Sequence, residues 1–507
     1  MSVPAAQMTA GMICQVHVEN GDGAYFTYSA VGITTPAENI ESMVITSTML
    51  EGRRGLSAVV GNATASARFL YALGGDSGSY ATAKTSIELA PLSGYGQLGQ
   101  WRYAANALPA PRTDAAAVVV GNLLYLVGGH DGTGPKDTTL RAEILDPNDA
   151  PHIVDLLANV AADGLTSGTW HYRVSAVMAG DDPTNPDGET LPSDPFPVQV
   201  PDVFSPRVQA QRLQVTLVWD PVPGAQSYRV YRTAGPNMSV GDVQLLAVLP
   251  ATETEYTETG SEVISEEGPL SIGDVGVWQT LVSMSVPRAG LGVGAALDPS
   301  EPNIAYIYAV GGQGTAALAH SSYEVLALDA GTGELQSGAT WLGDPTNPIS
   351  VGRMRLGLYV VDSIASTRLT NPEDTWIYAA GGETGVGAIS KVVDAAKVSA
   401  GGFLGIWESV TAMSPGFSGF GLAAAANQLF VFGGQGGEPS SSGKSAQICG
   451  IGNPCGSPPD VQNWNAGIGL LLDRYLVGSV VGAANIFILG GVGPAGQIYD
   501  TVEQAVW

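Results

Sequence analysis

One feature limits what this chain can fold into more than any other: a short apolar run stopped by two glycines, six times over. The copies are Phe69-Leu70-Tyr71-Ala72-Leu73-Gly74-Gly75, Leu123-Leu124-Tyr125-Leu126-Val127-Gly128-Gly129, Ile307-Tyr308-Ala309-Val310-Gly311-Gly312, Ile377-Tyr378-Ala379-Ala380-Gly381-Gly382, Leu429-Phe430-Val431-Phe432-Gly433-Gly434 and Ile486-Phe487-Ile488-Leu489-Gly490-Gly491. A run of five or six apolar residues without alternation predicts a strand covered on both faces. The glycines end it, because glycine tolerates positive φ and lets a neighbouring backbone approach closely. Six copies predict six similar units.

Each unit reads as four strands. The first is small and apolar, as in Ala115 to Val120; the second is the glycine-terminated run; the third carries an acid, as in Ser86-Ile87-Glu88-Leu89. The fourth begins at a tryptophan: Trp101, Trp278, Trp341, Trp407 or Trp464. Outside one interrupted unit, that tryptophan falls 26 to 31 residues after the first glycine. Pro-Arg often follows. Over about three quarters of the chain this pattern resembles the kelch motif, and the spellings Leu98-Gly99-Gln100-Trp101 and Leu404-Gly405-Ile406-Trp407 resemble its bacterial variant. The resemblance implies an all-β fold, a β-propeller in which no repeat buries both faces until its neighbours stack on it. The last copy stops after its third strand, Thr501 to Trp507, while Met43 to Met49 looks like a fourth strand without a unit. Joining them is expected to close a six-bladed ring and remove an exposed sheet edge.

Successive first glycines lie 54, 183, 70, 52 and 57 residues apart. The long interval holds a domain's worth of extra chain between the third strand of the second blade and Trp278. Within it, Val215 to Arg232, with Trp219 as core tryptophan, resembles strands B and C of a fibronectin type III domain. Gly168 to Val177 resembles strand F and Glu255 to Gly260 the E–F corner. Strand F therefore precedes B, which implies a circularly permuted domain opened at its E–F loop, with two partial domains as the alternative. Ahead of the ring, Ile13 to Val18 and Ala24 to Tyr28 flank the turn Asn20-Gly21-Asp22-Gly23 and predict a hairpin. The expected organisation is a hairpin extension over 1–40, closing strand and first blades over 41–147, the inserted domain over 148–274, and the remaining blades over 275–507.

The formal net charge of −26 repels polyanions, so nucleic acid is not expected as a partner. No segment approaches the roughly 20 apolar residues of a membrane span. Met1 to Gln7 lacks the basic and apolar regions of a signal peptide, so no leader is expected here. Of the three cysteines, Cys449 and Cys455 either close a small disulfide loop or remain two free thiols, and Cys14 stands apart.

Arginine follows the fourth strand in most units, giving Arg54, Arg112, Arg288, Arg353, Arg355 and Arg474 as candidate ligand-binding residues at the propeller mouth, where guanidinium forks suit carboxylates or acidic glycans. The plainer reading pairs these arginines, or Arg53 in place of Arg54, with blade acids such as Glu88, Glu143, Glu324 or Glu503. Asp-rich turns at Asp131, Asp181, Asp182 and Asp329 offer oxygen ligands for Ca, or simply serve as tight turns. His17, His130, His152, His171 and His320 show no metal-ligand spacing, and neither nucleophile elbow nor P-loop is visible. A copper kelch oxidase is therefore not expected. A kelch enzyme resembling the sialic-acid mutarotases, using an arginine and a glutamate at the mouth, is the catalytic alternative.

These features predict a non-catalytic structural or recognition protein acting outside cells. As a virion component of phage tail or capsid-decoration type, it would attach to other virion or surface proteins through its hairpin and inserted domain and recognise a partner or host glycan. The alternative is a secreted bacterial adhesin or glycan-binding protein.

Overall fold

The computed structural model describes residues 14–19, 25–30, 40–161, 163–201, 212–260, 262–361, 375–385, 388–425, 428–436, 439–449 and 460–507. The fold is all-β: among the described residues there is no α-helix, only strands and short 3-10 turns. Among the described residues no helix is long and apolar enough to cross a membrane.

Among the described residues, six four-stranded antiparallel sheets of one pattern follow one another along the chain, and all begin with an inner strand rich in small residues. In sheet 1 the strands are Ser57–Asn62, Arg68–Leu73, Ile87–Leu92 and Arg102–Tyr103. Sheets 2 to 6 start at Ala116–Val120, Gly292–Leu297, Gly357–Val361, Gly421–Ala425 and Gly478–Gly482. The second strand of each is the apolar run, and its side chains are buried on both faces. Sheet 6 takes its outer strand from the other end of the chain: Val44 pairs with Gln504 and Ile45 with Glu503. Three flanking backbone bonds, from Glu41, Thr46 and Met49 to Val506, Val502 and Asp500, extend the contact.

Six hydrophobic cores separate consecutive sheets. Trp101 lies in the core shared by sheets 6 and 1, Trp278 in that of sheets 1 and 2, and Trp341, Trp407 and Trp464 in the next three. The core between sheets 5 and 6 holds no tryptophan and is filled instead by Ile40 and Met43 from the N-terminal strand. The tryptophan signal and the closing strand thus do one job at equivalent places.

The glycine pairs now have a physical reason. Both members sit at positive φ in all six sheets, for example 59° and 87° at Gly74 and Gly75. The second glycine donates its N–H to a carbonyl at the start of the next sheet: Gly75 to Arg112, Gly129 to Arg288, Gly312 to Arg353, Gly382 to Phe417, Gly434 to Arg474 and Gly491 to Arg53, at 2.7–2.8 Å. These six bonds form a closed circuit. A Cβ on the first glycine would meet the same carbonyl, at 2.2 Å for Gly74. Gly74→Ala is therefore expected to destabilise by at least ~2 kcal/mol, read from the urea midpoint, since left-handed strain and a backbone clash coincide.

Between the third strand of sheet 2, Thr139–Glu143, and its outer strand, Gln279–Thr280, the chain makes seven further strands in two sheets. One holds Ile153–Ala161, Arg212–Trp219 and Glu255–Glu258; the other holds Phe196–Val200, Gly168–Met178, Ala225–Thr233 and Val243–Pro250. They share a core in which Trp219 meets Tyr228 edge to face, with centroids 5.5 Å apart. The strand Ile153–Ala161 was not expected. Its half-exposed, poorly alternating residues (only Asp155 and Asn159 are polar) give a weak period-2 signal. This sandwich is tied to the sheets: the Tyr71 hydroxyl donates to Gly273 O at 2.8 Å, Arg102 pairs with Asp274, and Val277 N donates to Asn185 Oδ1 at 2.9 Å. The strands Cys14–Glu19 and Tyr25–Ala30 pair as the expected hairpin; its turn, 20–24, lies outside the described residues.

Candidate binding face

Each sheet is entered through a three-residue corner: 53–55, 112–114, 288–290, 353–355, 417–419 and 474–476. The three positions do different work.

The first position turns inward. Arg53, Arg288, Arg353 and Arg474 are fully buried and pair with Glu88, Glu324, Asp394 and Glu503 on the third strand of their own sheets. Each guanidinium also donates to the carbonyl of the first glycine of the pair, as Arg288 Nη1 does to Gly311 O at 2.7 Å. The acid in turn accepts backbone N–H groups of the incoming corner, Ser285 N to Glu324 Oε2 at 2.6 Å being one case. Burial drives the Arg288 and Arg353 guanidinium pKa values down, and the facing carboxylates oppose this only in part. Two sheets depart from the rule. In sheet 5, Phe417 and Lys444 stand at these places. In sheet 2, Arg112 finds Leu140, opposite Leu126, where an acid would be. It donates to Pro111 O and the Thr138 hydroxyl instead, while Arg141 reaches Pro183 O in the sandwich and Gln279. Glu143, expected as an arginine's partner, accepts from Asn122.

The third position rings the axis. Gly55, Asp114, Gly290, Arg355, Gly419 and Leu476 all have φ between 50° and 62°. Their backbones form a second closed circuit: Asp114 N to Gly55 O, Gly290 N to Asp114 O, Arg355 N to Gly290 O, Gly419 N to Arg355 O, Leu476 N to Gly419 O and Gly55 N to Leu476 O, at 2.6–3.0 Å. Glycine alternates with a side-chain-bearing residue. The reason is space: a Cβ on Gly55 would meet Asp114, one on Gly290 would meet Arg355, and one on Gly419 would meet Leu476.

The middle position and the residue after each glycine pair form the rim, bridged Arg54 to Asp76, Thr113 to His130, Ala289 to Gln313, Met354 to Glu383, Ser418 to Gln435 and Tyr475 to Val492. Here side chains converge across sheets. Arg54 Nε donates to Asp76 Oδ1 at 2.8 Å, and the Thr113 hydroxyl donates to Asp76 Oδ2 at 2.9 Å. The Tyr80 hydroxyl donates to Asp114 Oδ2 at 2.8 Å, and its ring stacks on His130 at 4.0 Å. Arg355, two sheets away, donates to both the Tyr80 hydroxyl and Asp114 and lies 3.5 Å from Glu383. Burial and then the Asp114 charge push the Tyr80 phenol up; Asp114 above all pushes Arg355 up. Burial pulls His130 down, and its Nδ1 accepts from Gly132 N, which leaves Nε2 as the protonated nitrogen of the neutral ring.

Of the six arginines named from sequence, the structure places only Arg54 and Arg355 on this rim. Arg288, Arg353 and Arg474 are struts inside the sheets, and Arg112 is buried beside its own loop. Asp76, Tyr80, Asp114, Glu383 and Tyr475 were not singled out, and His130 was weighed only as a metal ligand. The signal that points to one of them, Asp114, is the corner triplet: Arg-x-Gly at 53–55 and 288–290 becomes Arg-x-Asp at 112–114, as it becomes Arg-x-Arg at 353–355. The Asp-rich turns are occupied by their own backbones: Asp131 Oδ1 accepts from Thr133 N and Gly134 N, Asp182 from Thr184 N and Asn185 N, and Asp329 from Gly331 N and Thr332 N. Among the described residues no group of three or more His, Cys, Asp or Glu side chains is arranged to hold a metal ion. Cys449 is buried and disulfide-bonded; Cys455 lies outside the described residues.

Residues 111–148, which hold the entry corner and first three strands of sheet 2, match the kelch motif model. Among solved structures the chain is similar to YjhT, at 12% identity and a TM-score of 0.42, over 90% of this chain and 95% of that one. No curated protein matches it.

Proposed function

We propose that this chain is a non-catalytic recognition protein working outside cells, built as a six-bladed kelch-like propeller that carries a fibronectin type III-like domain on its second blade. The six sheets, the six cores between them and the two closed hydrogen-bond circuits support the ring. For the inserted domain, the sheet neighbours correspond to A-B-E and G-F-C-C′, with F and G preceding B as a permutation requires. The entering strand Ile153–Ala161 takes the place beside B that strand A holds in the ordinary domain. A disulfide at Cys449 is in keeping with an oxidising exterior.

The observation that carries the recognition reading is the pair Asp114 and Arg355. Both keep a left-handed backbone that costs a side-chain-bearing residue ~1–2 kcal/mol, at corners where three sister positions are glycine. Strain retained at a surface cluster of charged and aromatic groups is characteristic of a functional site. Replacing both with the glycine of the sister corners tests it. Asp114→Gly/Arg355→Gly is expected to fold with unchanged or higher Tm, yet lose at least tenfold in binding of the labelled protein to target cells or immobilised surface glycans. Undiminished binding would refute the reading.

The sandwich and the Cys449 loop leave their sheets between third and fourth strands, the end opposite the corners in an antiparallel sheet. That arrangement leaves the corner rim clear and gives the hairpin and sandwich to attachment. A virion of phage-tail or decoration type is the proposed carrier, a secreted surface adhesin the alternative. Peptide mass spectrometry of purified particles and of the producing cell's surface fraction decides between them.

A further inference from the structure

Beside the rim cluster, a cleft of about 250 Å³ opens between sheets 1, 5 and 6, lined among others by Arg54, Gly78, Tyr475 and Gly496. It lies below the ~300–1,000 Å³ usual for drug-sized ligands, so it has room for one small ring. Two of its lining residues, Gly78 and Gly496, are exposed glycines with nothing within 4 Å of where a Cβ would be. Backbone groups are therefore within reach of a ligand.

Charge decides what that ligand is. Arg54 is held along its Nε edge by Asp76, whose carboxylate also accepts Gly78 N and the Thr113 hydroxyl. The guanidinium is thereby neutralised as a charge while its two Nη groups, which make no hydrogen bond to the described residues, remain donors. The wider rim repeats this balance, Arg355 facing Asp114 and Glu383, and Lys136 facing Asp131. A carboxylate or sulfate entering here meets as much negative as positive charge, on a chain of net charge −26. A neutral hydroxyl meets donors, acceptors and the half-buried ring and hydroxyl of Tyr475.

We propose that this cleft binds one uncharged pyranose residue, with the Tyr475 ring against its apolar face and Arg54 Nη groups donating to adjacent hydroxyls. This rests on the reading of the corner rim as the recognition face, and it replaces the acidic glycan expected from the arginines alone. The test is ligand-observed NMR and calorimetry with methyl glucoside, methyl galactoside, methyl mannoside and N-acetylglucosamine, against glucuronate and sialic acid. At least one neutral sugar is expected to bind, with little salt dependence, and to lose about tenfold in Tyr475→Ala at unchanged Tm and about tenfold in Arg54→Ala, whose Tm falls because the buried Asp76 carboxylate loses its cation. Absence of neutral-sugar binding, binding indifferent to both substitutions, or salt-sensitive preference for the anionic sugars overturns the proposal. If Asp114→Gly/Arg355→Gly abolishes cell binding while Tyr475→Ala preserves it, the cleft assignment falls and the face survives; if neither variant matters, the face itself is wrong.

Discussion

Glu324→Ala is expected to lower unfolding free energy by about 3–5 kcal/mol, among the largest effects any single substitution in this chain should produce. Arg288 and Glu324 are both essentially inaccessible to solvent, so the substitution leaves a guanidinium buried without its counter-charge. Gly311 O and Ser322 O still accept from Arg288, but Ser285 N loses its acceptor as well. Sheet 5 shows that the fold does not need the pair, because Phe417 and Lys444 occupy the corresponding places. An Arg288→Leu/Glu324→Leu variant should accordingly recover most of the loss, since well-packed apolar replacements of a buried pair are often neutral. The comparison is made by urea unfolding, with Glu143→Ala, outside any such pair, as a milder control. A single variant within 1 kcal/mol of the parent would mean these arginines are not struts. The same measurement separates stability from binding: Arg112→Ala/Arg288→Ala reports on the sheets, whereas Arg355 reports on the rim.

Much of the six-sheet pattern could be read from sequence because its signals are local. A glycine pair ends a strand and admits a carbonyl within the same few residues, so six copies announce six junctions. Tryptophan 26 to 31 residues after the first glycine, in all but the interrupted unit, marks the outer strand for the same reason. The rim resisted, and the cause is geometric. Arg53 and Arg54 are neighbours, yet one points into the sheet and the other to solvent, and nothing in their spelling says which. Asp114 and Arg355 meet although 241 positions separate them, because the circuit of corners brings sheets 2 and 4 around a glycine at 290. Pairing between distant sheets depends on sheet order and on which corner lacks a Cβ, neither of which is a property of any one stretch. The departure from Arg-x-Gly was visible; its partner was not.

Removing the two methionines of the N-terminal strand should open the ring. Met43 fills the core between sheets 5 and 6 and Met49 the core between sheets 6 and 1, each about 3% exposed. A buried methionine truncated to alanine costs ~2–5 kcal/mol, and costs in separate cores add. Met43→Ala/Met49→Ala is thus expected to lose on the order of 5–8 kcal/mol, comparable with the whole stability of many domains. The strand itself contributes only two ladder residues, Val44 and Ile45, both half exposed, so its hold depends on the methionines more than on pairing. Once it detaches, Val502–Val506 becomes an unpaired outer edge, and such edges recruit other chains. The double variant should therefore show a strongly lowered unfolding midpoint together with concentration-dependent light scattering before global melting. Val44→Ala/Ile45→Ala, which keeps the backbone bonds and both cores, should do neither. Should the methionine variant melt as the parent does, closure would have to come from the two hydrogen-bond circuits alone, and the strand would be an ornament on a ring that holds without it.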